Sequence, residues 1–180
     1  MHKVRVIPVL LLRGWGLEKS IQFTTPKYVG CPINAARVFN GKNVDELILL
    51  DIIATEERRG PQIEVVRQIA GESFMPFSVG GGIRTVDGMW ELLQAGADRV
   101  VINTAAIEDP DLVARGADRF GRQCMVVSID VRRHADGRCE VFTHAGRKAT
   151  GLDPVETALR MEAHGAGEIF LTSIDRDGTM

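Results

Sequence analysis

Short apolar runs rich in β-branched residues alternate with amphipathic stretches, and this alternation restricts the folds that the chain can adopt. The segments span residues 4–12, 32–41, 46–52, 61–71, 76–80, 86–96, 99–103, 110–120, 124–130, 154–165 and 168–173. Runs such as Ile48-Leu49-Leu50 are apolar at every position, which is typical of strands buried on both faces of a parallel sheet. The pattern predicts an α/β protein with about six strands and five helices.

Two folds share this rhythm: an open, doubly wound Rossmann-like sheet and a (β/α)8 TIM barrel. Polar residues or glycines follow the ends of separate strands, at Asp51, Gly80 to Gly82, Asn103, Asp130 and Asp175. They converge on one site only if the strands form a ring, so we predict the barrel. Because a complete barrel has eight strands and roughly 250 residues, we expect this sequence to be truncated after about the sixth strand.

Residues 131–150 interrupt the rhythm with polar sequence. His134-Ala135-Asp136-Gly137-Arg138 contains an Asp-Gly turn signal, and the residues that follow it alternate between apolar and polar. We predict a β-hairpin at 131–150, inserted into a single barrel domain that spans residues 1–180.

Charge and cysteine content exclude several functions. The chain has 22 basic and 24 acidic residues, so nothing favours nucleic acid as a partner. Cys31, Cys124 and Cys139 are far apart and lack metal-ligand spacing, which argues against a disulfide framework or a zinc site. No signal-peptide pattern or membrane-spanning stretch is present. We expect a cytoplasmic protein with no membrane partner, cofactor or metal.

Two neighbouring loops carry groups suited to a phosphate. Gly81 and Gly82 follow a strand and precede a helix, where backbone amides can approach an anion closely, although a tight turn explains glycines equally well. Asn103 and Thr104 add an amide and a hydroxyl on the next loop. The matching donors favour a phosphate site.

Asp130 is the candidate acid or base. It ends an apolar strand, where partial burial in the mouth of a barrel suits proton transfer, although a salt-bridged aspartate is the structural alternative. Asp51 and Asp177 have a similar placement, but Asp177-Gly178 also fits a simple turn. Lys19 lies in the polar connection after the first strand, where it either closes over an anionic ligand or is merely solvated.

A set of charged residues lies near the starts of alternate strands: Arg5, Glu46, Arg99 and Glu168. In a ring they would form one network of ion pairs. Taken alone, the pattern predicts a network that stabilises the bottom of the barrel.

The motifs that carry a family resemblance run the length of the chain. They are Arg5-Val-Ile-Pro, Leu49-Leu-Asp51-Ile, Ser78-Val-Gly-Gly-Gly82-Ile, Asn103-Thr-Ala-Ala, Ser128-Ile-Asp130, and Gly165-Ala-Gly-Glu168 through Ser173-Ile-Asp-Arg-Asp-Gly178-Thr. Together they resemble HisF, the cyclase subunit of imidazole glycerol phosphate synthase. The resemblance implies a ribulose-phosphate-binding barrel that takes a bis-phosphorylated ligand at its top. It also implies that ammonia arrives through the centre from a HisH-like glutaminase at the bottom.

The resemblance also implies a role for individual residues. Gly82, Asn103 and Thr104 match one phosphate cradle, and Asp177 with Gly178 begin a second. Arg5, Glu46, Arg99 and Glu168 match an ammonia gate, with arginine at 99 where the family usually has lysine. Asp98 matches a contact with the glutaminase.

One departure bears on activity. The family has an aspartate on the first strand that pairs with the one at Asp130, whereas this chain has Leu11. Since leucine cannot transfer a proton, cyclisation should be slower by several powers of ten.

The chain is also similar to the WbuZ group, the HisF-like glycosyl amidation-associated proteins. Three segments carry this similarity: Arg5-Val-Ile-Pro-Val-Leu-Leu11-Leu, Pro26-Lys-Tyr-Val-Gly and Cys31-Pro-Ile-Asn-Ala. That similarity implies acetamidino-group formation on a nucleotide sugar in surface-polysaccharide biosynthesis, with a HisH-like glutaminase and a separate amidotransferase as partners. Two alternatives remain open: the cyclase subunit of histidine biosynthesis, and a non-catalytic scaffold that only conducts ammonia.

Overall fold

The computed structural model describes residues 4–179, which form one ten-stranded mixed sheet with helices. The strands are β1 (Val9–Arg13), β2 (Gly16–Ile21), β3 (Thr24–Gly30), β4 (Leu47–Asp51), β5 (Phe77–Gly80), β6 (Arg99–Ile102), β7 (Met125–Arg133), β8 (Cys139–Thr143), β9 (Lys148–Ala149) and β10 (Glu168–Ser173). The helices are α1 (Pro32–Gly41), α2 (Ile63–Glu72), α3 (Val86–Gln94), α4 (Thr104–Glu108), α5 (Pro110–Phe120) and α6 (Pro154–Ala163).

The parallel part of the sheet has the order β1-β4-β5-β6-β7-β10. Each of these strands lies beside the one that precedes it in the series, so the sheet is wound in one direction. A doubly wound sheet would reverse its strand order part of the way across. The winding is therefore that of a (β/α) barrel. Within residues 4–179 the sheet stays open, because β1 and β10 do not pair.

Alternate residues of the parallel strands face two environments. One set, which includes Leu49 and Met125, is buried against the helices in the main core. The other set points to the side away from the helices, where Ile48, Val101 and Val126 form a separate apolar cluster. Both faces are therefore apolar, which explains why these strands read as continuous hydrophobic runs.

Local signals set the helix boundaries. α1, α5 and α6 each begin with a proline, whose missing N–H is not needed in the first turn. At α6 the Asp153 carboxylate accepts hydrogen bonds from the N–H groups of Val155 and Glu156. As a result, the predicted helices 32–41 and 110–120 match α1 and α5.

The segment before α1 differs from the prediction. We predicted a strand over 4–12 and a polar loop around Lys19, whereas β1 begins at Val9 and the connection folds into β2 and β3. β2 pairs antiparallel with both β1 and β3. Gln22 and Phe23 form the turn with positive φ values of 52° and 61°, without a glycine to signal it. The loop prediction was therefore wrong, as was the omission of the five-residue helix α4.

The segment predicted as an inserted hairpin holds the end of β7 followed by β8 and β9. β7 continues past the last residue predicted for it and pairs antiparallel with β8, which in turn pairs with β9. Among the residues that the structure describes, no helix is long and apolar enough to cross a membrane.

Candidate active site

A cavity of about 950 Å³ lies at the carboxyl ends of the parallel strands. This volume falls in the range that accommodates small-molecule ligands. Most residues predicted from strand ends line it, namely Asp51, Gly81, Gly82, Asn103, Thr104, Asp130, Asp177 and Gly178. The fold therefore brings together side chains that are far apart in the sequence.

Asp130 is placed to exchange protons in this cavity. It is 9% exposed, and this burial raises the pKa of its carboxyl to about 7; the charge of Asp177 adds to the rise, while hydrogen bonds from Ser128 and Thr172 oppose it. The Ser128 hydroxyl donates to Oδ1 at 3.4 Å, and Nδ2 of Asn103 donates to Oδ2 at 3.3 Å. A carboxyl with a pKa near neutrality can act as acid and as base.

β1 and β4 present an aliphatic wall to the same cavity. Val9 and Leu11 on β1 and Leu50 on β4 contribute to the lining, and Leu11 lies in register with Leu50. The strands β4, β5 and β6 separate Leu11 from the strand that carries Asp130. The cavity-facing position of β1 therefore holds a hydrocarbon where the HisF resemblance implies an acid.

Asp51 also lines the cavity, but an arginine neutralises it. Nη1 of Arg59 lies 2.6 Å from Oδ2 of Asp51, and Nη2 lies 3.3 Å from Oδ1. The Asp51 side chain is only 1% exposed. Arg59 also pairs with Glu57 at 2.6 Å. Because both oxygens of Asp51 are engaged, it is not a second free acid.

Close packing explains the two glycines beside Asp51. Gly81 and Gly82 have φ values of +113° and +67°. A Cβ atom at Gly81 would overlap the carbonyl oxygen of Asp51, and one at Gly82 would overlap that of Arg59. The turn therefore requires glycine for steric reasons, and the phosphate role remains a prediction.

Gly82→Ala should lower the free energy of unfolding by about 3 kcal/mol, because left-handed strain adds to an overlap with the backbone. Urea unfolding measures the loss. Gly137→Ala is the matched control, since Gly137 has a φ of +87° but a Cβ atom added there would meet nothing within 4 Å. Equal losses for the two variants would contradict the steric explanation.

Asn103 and Thr104 are held by neighbouring segments. Nδ2 of Asn103 donates to the Ser128 carbonyl oxygen at 3.0 Å as well as to Asp130, and so joins the residue after β6 to β7. The Thr104 hydroxyl lies 3.2 Å from Oδ1 of Asn103 and accepts from the His144 N–H at 3.0 Å. Both residues line the cavity, and a role in phosphate binding remains a prediction.

Asp177 and Gly178 fasten the β2–β3 hairpin to the turn after β10. The Ser20 hydroxyl donates to Oδ2 of Asp177 at 2.8 Å, and the Gln22 N–H donates to the Asp177 carbonyl oxygen at 2.8 Å. A Cβ atom at Gly178 would overlap the Ser20 carbonyl oxygen. Lys19 is exposed on β2 and lies outside the cavity lining, so the structure does not bring it to the other predicted ligand residues.

The predicted charge cluster meets at the opposite ends of the strands. Nη1 of Arg99 lies 3.0 Å from Oε2 of Glu46 and 2.7 Å from Oε2 of Glu168. Arg5 pairs with Glu46 at 3.2 Å and also with Glu168. The four side chains thus form one network.

Two more contacts define this lower end. Glu46 is 3% exposed and accepts a 2.6 Å hydrogen bond from the Ser78 hydroxyl. Asp98 is exposed, and its Oδ2 accepts a 2.8 Å hydrogen bond from the Phe77 N–H at the start of β5. Asp98 therefore has a structural role in this chain, whether or not a partner contacts it.

Sequence reasoning missed several residues at the site. No local signal in the sequence indicates that Arg59 pairs with Asp51. The same holds for Arg147, which forms a 2.8 Å ion pair with Glu56 between two loops of the cavity. Ser128 had such a signal, because it lies two residues before Asp130 on the same face of a strand.

A singly wound parallel sheet with a cavity at the carboxyl ends of its strands defines a protein of the (β/α)-barrel class. The model of the family described as "Histidine biosynthesis protein" matches residues 5–180. The chain belongs to this family, whose members are TIM-barrel enzymes of the HisA and HisF types. Family membership does not identify which of these reactions the chain catalyses, so the residues of the site must be considered.

Proposed function

We propose that this chain is the ammonia-accepting subunit of a glutamine amidotransferase complex and that its acceptor is a nucleotide sugar. The observation that carries the proposal is Leu11, which lines the cavity opposite the polar wall of Asp130. Cyclisation of the histidine-pathway ligand needs a paired acid and base. Asp51 does not replace the missing acid, because Arg59 engages both of its oxygens.

The side chains on the inner side of the sheet support an ammonia path. The charged network at the amino ends is followed by the apolar cluster of Ile48, Val101 and Val126, and then by the cavity. An apolar stretch admits neutral ammonia more readily than ammonium, because an unpaired buried charge is costly. We assign the source of ammonia to a HisH-like glutaminase docked against the charged network.

The proposed reaction replaces the oxygen of an acetamido group with the nitrogen of ammonia, which gives an acetamidino group, and the oxygen leaves on the phosphoryl group as inorganic phosphate. Loss of that oxygen requires activation by a phosphoryl donor, a step that we assign to a separate amidotransferase. The Asp130 carboxylate would take the proton that the incoming nitrogen loses, and its near-neutral pKa suits that task.

Leu11→Asp tests the proposal against the cyclase alternative. The intact protein is given free ammonia and the histidine-pathway bis-phosphate, and product formation is followed. We expect no measurable turnover from the unmodified protein and a gain in Leu11→Asp, because the paired carboxylate is restored. Leu11→Asn is the control for size and polarity and should not gain activity. Robust turnover by the unmodified protein would establish the cyclase alternative instead.

A further inference from the structure

The cavity has two chemically different walls. Asn103, Ser128, Asp130 and Thr172 supply polar groups from the loop after β6 and from β7 and β10. Opposite them, Val9 and Leu11 of β1 and Leu50 of β4 supply hydrocarbon to the inner lining. The last residues of these two strands, Arg13 and Asp51, also line the cavity, but each is engaged in an ion pair. Leu11 is therefore part of a continuous aliphatic surface and not an isolated replacement.

The neighbouring strand leaves room for this surface. A Cβ atom at Gly80 on β5 would lie 2.8 Å from Cδ2 of Leu50. Glycine at that position allows the Leu50 side chain to lie against β5 and keep its place in the wall. Residues on three adjacent strands, β1, β4 and β5, thus combine to form the aliphatic wall.

We infer that Val9, Leu11 and Leu50 form a subsite for the methyl of the acetamido group on the proposed nucleotide-sugar acceptor. The inference rests on the proposed function and assigns the residues that contact one part of its substrate. The acetyl methyl would contact the aliphatic wall while the acetyl oxygen faces Asp130. This orientation presents the carbon that accepts ammonia to the polar wall.

The rim of the cavity suits the anionic part of such a ligand. Arg84 and Arg176 line the cavity, and within residues 4–179 neither forms an ion pair with a carboxylate. By contrast, Arg147 is paired with Glu56. Two rim guanidinium groups without acidic partners match the charge of a diphosphate.

The test is calorimetric titration of the intact protein with uridine and thymidine diphosphate hexosamines, each prepared as the N-acetyl and the N-formyl compound. The two compounds of a pair differ by one methyl group. We expect the N-acetyl compound to bind about tenfold more tightly, because one additional carbon in an apolar pocket typically raises the affinity by at least this factor. In Leu11→Asp the preference should disappear while the N-formyl compound still binds.

The outcomes separate the two claims. Equal affinity for both members of a pair would overturn the methyl subsite and leave the proposed function standing. Failure of every nucleotide sugar to bind would overturn the proposed function itself. The comparison on the unmodified protein needs no variant, so it stays decisive even if Leu11→Asp does not fold.

Discussion

Replacing Arg59 with alanine should lower the free energy of unfolding by about 3 kcal/mol, since it leaves a buried carboxylate without its cation. Asp51 is 1% exposed on its side chain, and Arg59 contacts both of its oxygens. A domain of this size has a total stability of roughly 5–15 kcal/mol, so the loss would be a large share.

Urea unfolding followed by circular dichroism measures this effect. Arg58→Ala is the matched control, because Arg58 is an exposed arginine next to Arg59. The double variant Asp51→Asn with Arg59→Ala should recover part of the loss, since a neutral amide needs no cation. A loss for Arg59→Ala no greater than that for Arg58→Ala would show that the ion pair contributes little.

The alternation of apolar segments was enough to predict the parallel strands and their order. Segments such as 168–173 match β10 because both faces of the strand are apolar or carry polar residues only at its ends. The polar residues at strand ends could be assigned to one cavity because parallel strands wound in one direction place their carboxyl ends together.

The hairpin β2–β3 could not be predicted in the same way. Its turn has positive φ at Gln22 and Phe23, which the sequence does not signal, and Pro26 in β3 argues against a strand. Tertiary bonds hold the hairpin, above all those to Asp177. Contacts between residues so far apart in sequence leave no local pattern.

The different electrostatic environments of the two aspartates in the site could not be predicted from the sequence either. Asp51 and Asp130 look alike in the sequence, as single aspartates that end apolar strands. In the structure one is neutralised by Arg59, and the other is buried beside hydroxyl and amide donors. The difference arises from Arg59, which lies in the polar run Glu56-Glu57-Arg58-Arg59 and resembles a solvated surface residue.

Asp130→Asn should make the protein more stable above pH 7 and leave it less affected by pH. In the unfolded chain the carboxyl ionises near pH 4, whereas burial raises the pKa of Asp130 to about 7 in the folded protein. The folded state therefore binds an extra proton between these values, and stability falls as the pH rises through that window. The difference between the unmodified protein and the variant should change by about 4 kcal/mol from pH 4 to pH 8.

Urea unfolding at a series of pH values measures this change, with Asp118→Asn, an exposed aspartate on α5, as the control for general charge effects. Parallel stability curves for the unmodified protein and Asp130→Asn would mean that the carboxyl is not buried as described.

The same variant separates an acid–base role for Asp130 from mere conduction of ammonia. If Asp130 takes a proton in the reaction, Asp130→Asn should lower the activity of the whole amidotransferase complex by about two to four powers of ten, although the variant is more stable at the assay pH. Loss of activity together with a gain in stability cannot be attributed to unfolding. If Asp130→Asn is fully active while substitutions of Arg5 or Glu46 abolish activity, the chain conducts ammonia and its partner performs the chemistry.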